Sequence, residues 1–101
     1  MGKILKAQEI RRGFMLDHIY GFDEARLHPP DLDGLKQALK TLPKRYKRLL
    51  VAFWGVGGGR PRSLDELAAV EGCTRERIRQ IIAKTYRMLR HPSRRDLIFH
   101  E

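Results

Sequence analysis

The sequence predicts an all-α protein, a small helical bundle that contains a helix-turn-helix. Three observations carry that prediction. Apolar residues recur at helical spacing in several separate stretches, and no stretch alternates apolar with polar side chains as a strand would. Helix-starting residues stand ahead of those stretches, at Asp31, Pro43, Ser63 and Thr74. Glycine or proline then closes them, at Gly55, Gly72 and Pro92.

The elements follow in order. Residues 1–28 carry Ile4, Leu5, Ile10, Phe14, Met15 and Ile19, which suggest helix, but the spacing is loose and Gly13 is expected to interrupt it. His28-Pro29-Pro30 is a break. Asp31 opens the next helix, with Leu32, Leu35, Ala38, Leu39 and Leu42 on one side. Leu42-Pro43 marks a further start, because proline lacks the N–H that would go unpaired in a first turn. Tyr46, Leu49, Leu50 and Phe53 follow at i, i+3, i+4 and i+7 until Gly55. The run Gly57-Gly58-Gly59-Arg60-Pro61-Arg62 reads as a basic connection. It is no phosphate-binding loop, which needs a preceding strand and a Lys-Ser/Thr ending. Ser63-Leu64-Asp65-Glu66 is a capping box. Leu64, Leu67 and Ala68 form the apolar side of the short helix it starts. Gly72 suits the left-handed backbone of a turn, and Thr74 is the next N-cap. Ile78, Ile81, Ile82, Thr85 and Leu89 then keep one face apolar until His91-Pro92. Ser93 is expected to cap a last short helix ending near His100.

The chain of 101 residues has the length of one domain and a net charge of +9. The charge is uneven. Residues 1–39 hold six basic and six acidic side chains, whereas residues 40–101 hold fifteen basic and six acidic ones and so carry all of the excess. A neutral N-terminal helical extension (1–41) joined to a basic helix-turn-helix domain (42–101) is the expected organisation. Basic surface at this density favours a polyanion, nucleic acid above all.

Short helix, glycine turn and longer helix from Leu64 to Arg90 are the sequence form of a helix-turn-helix. Ala68 sits where the two helices cross closely, and Leu67, Cys73, Ile78 and Ile81 are expected between them. Glu71 occupies a position that is often apolar, and Val70 is expected to fill in. With the isoleucine face buried, Arg75, Glu76, Arg79, Gln80, Ala83, Lys84 and Arg87 face outward. A recognition helix sets its first residues against base edges. Arginine donates twice to guanine, glutamate accepts from cytosine and glutamine suits adenine. Arg75, Glu76 and Gln80 are therefore the candidate base readers, with Glu76 also able to brace neighbouring arginines. Arg60, Arg62, Lys84 and Arg87 suit phosphates, with the backbone N–H groups of Ser63 and Leu64 adding to them.

The stretch from Leu42-Pro43 to Arg95 resembles region four of the sigma-70 family of bacterial RNA polymerase sigma factors. The resemblance rests on L-P-K-R-Y-K-R-L-L-V-A-F-W-G-V, G-G-G-R-P-R-S-L-D-E-L-A and T-R-E-R-I-R-Q-I-I-A-K-T-Y-R-M-L-R-H-P-S-R. It covers about half the chain and leaves residues 1–41 out. It implies that Arg75, Glu76 and Gln80 read the minus-35 element of double-stranded promoter DNA in the major groove. Arg60, Arg62, Arg79 and Lys84 would hold its backbone. It implies further that the helix bearing Tyr46, Leu49, Leu50, Phe53 and Trp54 grips the flap-tip helix of the polymerase β subunit. On residue pattern alone those five read as core. The sigma parts that bind the polymerase clamp and melt DNA are not expected in a chain of this length.

Other classes find little support. The histidines His18, His28, His91 and His100 are scattered, Cys73 has no partner for a disulfide or a metal, and no acid pair stands out. No enzyme activity, cofactor, metal site or small-molecule substrate is expected. Leu49 to Trp54 is the longest apolar run, too short to span a bilayer, and a cytoplasmic protein at the nucleoid is expected. The leading expectation is a stand-alone, sigma-like regulator that binds promoter DNA and docks on RNA polymerase. The alternative is a polymerase-binding accessory factor (flap-binding co-activator, antiterminator or sigma competitor) for which DNA contact is secondary.

Overall fold

The computed structural model describes residues 2–21 and 29–100, with side chains from Ala7 onward. Ile4, Leu5 and His28 lie outside the described side chains. Among the described residues the chain is all-helical. The helices are α1 (Gly2–Tyr20), α2 (Leu32–Lys40), α3 (Lys44–Trp54), α4 (Leu64–Glu71), α5 (Arg75–Arg90) and α6 (Pro92–Ile98).

Three of the starts are set by Asp, Ser or Thr side chains that accept from the first free N–H groups, and a fourth by a histidine ring. Asp31 accepts from Gly34, Ser63 from Glu66 and Thr74 from Arg77. At Ser63 the box is complete, because the Glu66 carboxylate returns to the Ser63 N–H at 3.2 Å. Pro43 precedes α3 as its N-cap and lends no side-chain hydrogen bond. The stops at Gly55 (φ 66°) and Gly72 (φ 68°) use the left-handed backbone that a side chain would strain.

Four local expectations are corrected. The break at Gly13 does not occur, and α1 runs through it. A single interior glycine weakens a helix by about 1 kcal/mol, and burial of Met15, Leu16 and Ile19 outweighs that. Those three, and not Ile10 or Phe14, form the buried stripe; Ile10 and Phe14 are exposed. Leu32 is likewise exposed. The last helix is capped by the His91 ring, which accepts from the Ser93 N–H at 3.2 Å, with Pro92 in the first turn. Ser93 thus lies inside α6.

The core has two parts. The first joins Met15, Leu16 and Ile19 of α1, Leu35, Ala38 and Leu39 of α2, and Leu42 to Leu50, Leu89, Ile98 and Phe99. It draws on residues from both sides of position 41. The second joins Leu49 of α3, Leu67 and Ala68 of α4, and Ile78, Ile81 and Ile82 of α5. Adjacent leucines of α3, Leu49 and Leu50, therefore face different parts, so α3 and α5 form the wall between them. Polar ties hold α1 to this wall. The Tyr20 hydroxyl donates to the Leu89 carbonyl at 2.9 Å, and Arg90 Nε–H donates to the Ile19 carbonyl at 2.7 Å. Burial pushes the Tyr20 phenol pKa well up, so it stays a donor. At the far end Arg11 donates to the carbonyls of Gly55 and Gly59, each at 3.2 Å, and so pins the glycine-rich connection.

Candidate nucleic-acid interface

The expected buried stripe of α5 is the observed one: Ile78, Ile81, Ile82, Thr85 and Leu89. Burying it turns Arg75, Glu76, Arg79, Gln80, Lys84 and Arg87 to solvent, with Ala83 half-buried at the edge. Thr85 is the polar member of the stripe; its hydroxyl donates to the Ile81 carbonyl at 2.8 Å, which leaves no unmet hydrogen bond inside. The N-cap at Thr74 fixes where α5 begins, and so which residues occupy its first turn.

The heads of α4 and α5 come together. Leu64, Arg75, Glu76 and Arg79 line a shallow hollow of about 370 Å³ between them. Arg60, Arg62 and Ser63 stand at the head of α4, all exposed. Of the predicted contacts, Arg75, Glu76 and Arg79 therefore share this hollow, with Asp65 of α4 3.9 Å from Arg75. Lys84 sits further along α5, with Nζ 5.7 Å from the centroid of the Tyr46 ring, a cation–π contact.

These cations are mostly paired with acids. Glu76 accepts from Arg79 Nε at 2.8 Å, the brace that sequence reasoning allowed for. The guanidinium holds the Glu76 carboxyl below its usual range. Arg60 Nη2 reaches Glu66 at 2.6 Å and Arg62 Nη1 reaches the same oxygen at 3.8 Å. With the hydrogen bond from Arg60 first and that from the Ser63 N–H second, the Glu66 carboxyl is pushed down to about 2. Arg75 Nε lies 3.9 Å from Asp65. The partners Asp65 and Glu66 were not singled out for this role in the sequence. The i, i+4 spacing of Arg62 and Glu66 was the available signal.

Glu71 and Val70 reverse the expectation for the turn. Val70 is 78% exposed and fills nothing. Glu71 folds back onto α3, accepting from Arg45 Nε and from Arg48 Nη2, each at 3.0 Å. Hydrogen bonds from Arg48, then Arg45, hold its carboxyl below the usual range. The position is polar because two arginines one helical turn apart wait opposite it. No spacing rule in the sequence joins residues 26 positions apart. Cys73 packs half-buried against the second part of the core, as expected.

Of the five residues expected to grip the polymerase, Leu49 and Leu50 are wholly inside. Tyr46, Phe53 and Trp54 are half-buried. The indole N–H of Trp54 donates to the Tyr86 hydroxyl at 3.0 Å. His18 of α1 lies against both rings, its centroid 5.6 Å from that of Trp54 and 5.1 Å from that of Tyr86. Arg11 and Phe14 of α1 join Phe53, Trp54 and Pro61 around an open groove of about 580 Å³. Among the described residues no group of three or more His, Cys, Asp or Glu could hold a metal ion. No described helix is long and apolar enough to cross a membrane.

Geometry and charge together define the class, a helix-turn-helix module of the DNA-binding kind. The comparison with known proteins agrees. The family model described as Sigma-70, region 4 matches residues 38–91, more than half of the chain. This chain belongs to the sigma-70 region 4 family. RNA polymerase sigma factor SigA of a Bacillus species is 44% identical over 79 residues. That match covers 71% of this chain and 21% of the relative, so the chain spans about a fifth of that protein's length.

Proposed function

We propose that this chain acts in transcription by placing α5 in the major groove of a minus-35-like promoter element while docked on RNA polymerase. One observation supports this above the rest. The capped first turns of α5 present Arg75, Glu76 and Gln80 to solvent together, flanked by cations at the head of α4. Arg75, Glu76 and Gln80 read bases. Arg60, Arg62, Arg79, Lys84 and Arg87 hold phosphates, and the backbone N–H of Leu64 adds to them, that of Ser63 being already donated to Glu66. Glu76 braces Arg79 in the free protein and is available to accept from a cytosine amino group in the complex. No step needs a catalyst or a cofactor.

The open groove beside Phe14, Phe53 and Trp54 favours a protein contact as well. On this reading it receives the β flap, with Phe53 and Trp54 as the contact surface and Leu49 and Leu50 supporting them from within. If polymerase capture proves independent of DNA, the accessory-factor reading takes precedence.

The test is fluorescence anisotropy on a duplex carrying a minus-35 element and on the same duplex with the element scrambled, beside capture of core polymerase. Arg75→Ala should weaken the specific complex by about 1–3 kcal/mol and relax preference at one base position. Lys84→Ala should weaken both complexes alike and lower the salt slope by about one unit. Equal loss on both duplexes for Arg75→Ala sinks the base-reading role.

A further inference from the structure

Helix α3 begins against the usual electrostatic preference. Lys44, Arg45, Lys47 and Arg48 fall in its first five residues, no acid lies in the first turn and no side chain caps it. The N-terminal end of a helix is its positive pole and disfavours cations. The starts of α2, α4 and α5 are built the opposite way, with Asp31, Ser63 and Thr74 as caps and an acid in each first turn. Glu71 answers Arg45 and Arg48. Among the described residues no carboxylate pairs with Lys44 or Lys47.

Both lysines line a groove of about 410 Å³ with Arg48, Arg60 and Arg62, over a floor that includes Val51. No acidic side chain lines it. The groove follows α3 from its first residue to the glycine-rich connection, a length of about 16 Å at 1.5 Å per residue. Its far end is Arg60 and Arg62, the residues that stand at the head of α4.

We propose that the DNA-backbone contact of this chain continues past the helix-turn-helix along this groove, where Lys44 and Lys47 neutralise phosphates outside the element that α5 reads. The proposal rests on the helix-turn-helix reading above. Double-stranded DNA is the occupant because every charged group in the lining is cationic and because Arg60 and Arg62 make the groove continuous with the phosphate contacts at α4. About 16 Å of duplex carries roughly five phosphates on each strand, enough for two lysines to meet. Lysine is a mobile point charge, suited to a phosphate row that carries no sequence information.

The experiment compares the parent chain with the double variant Lys44→Gln, Lys47→Gln. Each binds a duplex that ends flush with the minus-35 element and one extended by about ten base pairs on both sides, one helical turn. Both are titrated with salt. The parent should bind the extended duplex more tightly, and the double variant should lose that gain. Its salt slope on the extended duplex should fall by about two units, at about 0.9 per phosphate, with element-over-scrambled preference unchanged. A thermal midpoint at or above that of the parent confirms that the fold is kept, since cations leave a helix N-terminus. An unchanged slope overturns the proposal. So does loss of core-polymerase capture at constant slope, which would place an acidic protein surface in the groove. A parent chain that shows no element preference, with the slope difference retained, sinks the helix-turn-helix reading alone. A parent chain that does not bind DNA at all overturns both.

Discussion

Gly34 offers a direct test of how α2 is held against α6. It is buried in the first turn of α2. A Cβ built on it would overlap the Leu97 carbonyl oxygen and come within 2.6 Å of the Leu97 carbonyl carbon, where real Cβ contacts essentially never fall below 3.0 Å. That neighbour is backbone and cannot swing aside. In Gly34→Ala the two helices must part. The move strains the bond from the Asp31 N–H to the Ile98 carbonyl, 2.7 Å long, and the 2.9 Å contact between Asp31 and His100. It also opens the packing of Leu35 and Ala38 against Ile98 and Phe99. Overpacking costs about 1–3 kcal/mol and a lost backbone hydrogen bond about 1 kcal/mol. Against this stands the gain of alanine over glycine in a helix, at most about 1 kcal/mol. The net is a loss of about 1–3 kcal/mol, which in a domain of this size lowers the thermal midpoint by roughly 5–20 °C. Gly13→Ala is the control, since a Cβ there meets nothing within 4 Å. The same chemical change should raise the midpoint by roughly 4–8 °C. Far-UV circular dichroism on heating measures both. A Gly34→Ala variant as stable as the parent would refute the close α2–α6 seam.

Two further predictions concern the helix starts on the basic side. The Glu66 carboxyl sits at about 2 against an ordinary 4.5, so its contribution to stability is complete above 4.5 and is lost as pH falls toward 2. Glu66→Gln keeps the capping geometry but removes the charge. The fall in thermal midpoint between those pH values should therefore be shallower in the variant, and an identical acid limb would contradict the assignment. Thr74→Ala removes the cap of α5 and should lower stability by about 1 kcal/mol. It should also weaken the minus-35 duplex more than it weakens polymerase capture; equal effects on the two would argue that α5 is not the DNA-reading element.

What could be read from the sequence was local. Ser63 and Thr74 announced their helices because a capping oxygen and the N–H that donates to it lie three residues apart. The stripe from Ile78 to Leu89 announced its buried side because helical period is a property of neighbours. The outward positions of Arg75, Glu76 and Gln80 followed directly from that stripe. The misses were non-local. Gly13 looked like a break because the docking of α1, through Met15, Leu16 and Ile19, onto α3 and α5 is invisible in the spacing. Glu71 looked misplaced because Arg45 and Arg48 lie on another helix. The same holds for α1, whose Arg11 and His18 reach Gly55, Trp54 and Tyr86 across more than thirty positions of chain.

The acids on the basic face bear on specificity, on the proposed reading. Arg60, Arg62, Arg75 and Arg79 each have a carboxylate partner in the free protein. Binding DNA there is an exchange of carboxylate for phosphate. Exposed pairs of this kind are worth about 0–1 kcal/mol, so releasing them is not prohibitive. The carboxylates themselves remain beside the DNA, and their repulsion of phosphate falls on every sequence alike. A base contact recovers part of that loss only where it gives the acid a donor, as a cytosine amino group would give Glu76. Specificity is a difference of affinities, so the penalty common to every sequence cancels, and only the part that Glu76 recovers at the right base raises it. On this reading Asp65 and Glu66 lower the affinity of a chain of net charge +9 for every sequence alike, and Glu76 alone among the three adds to discrimination.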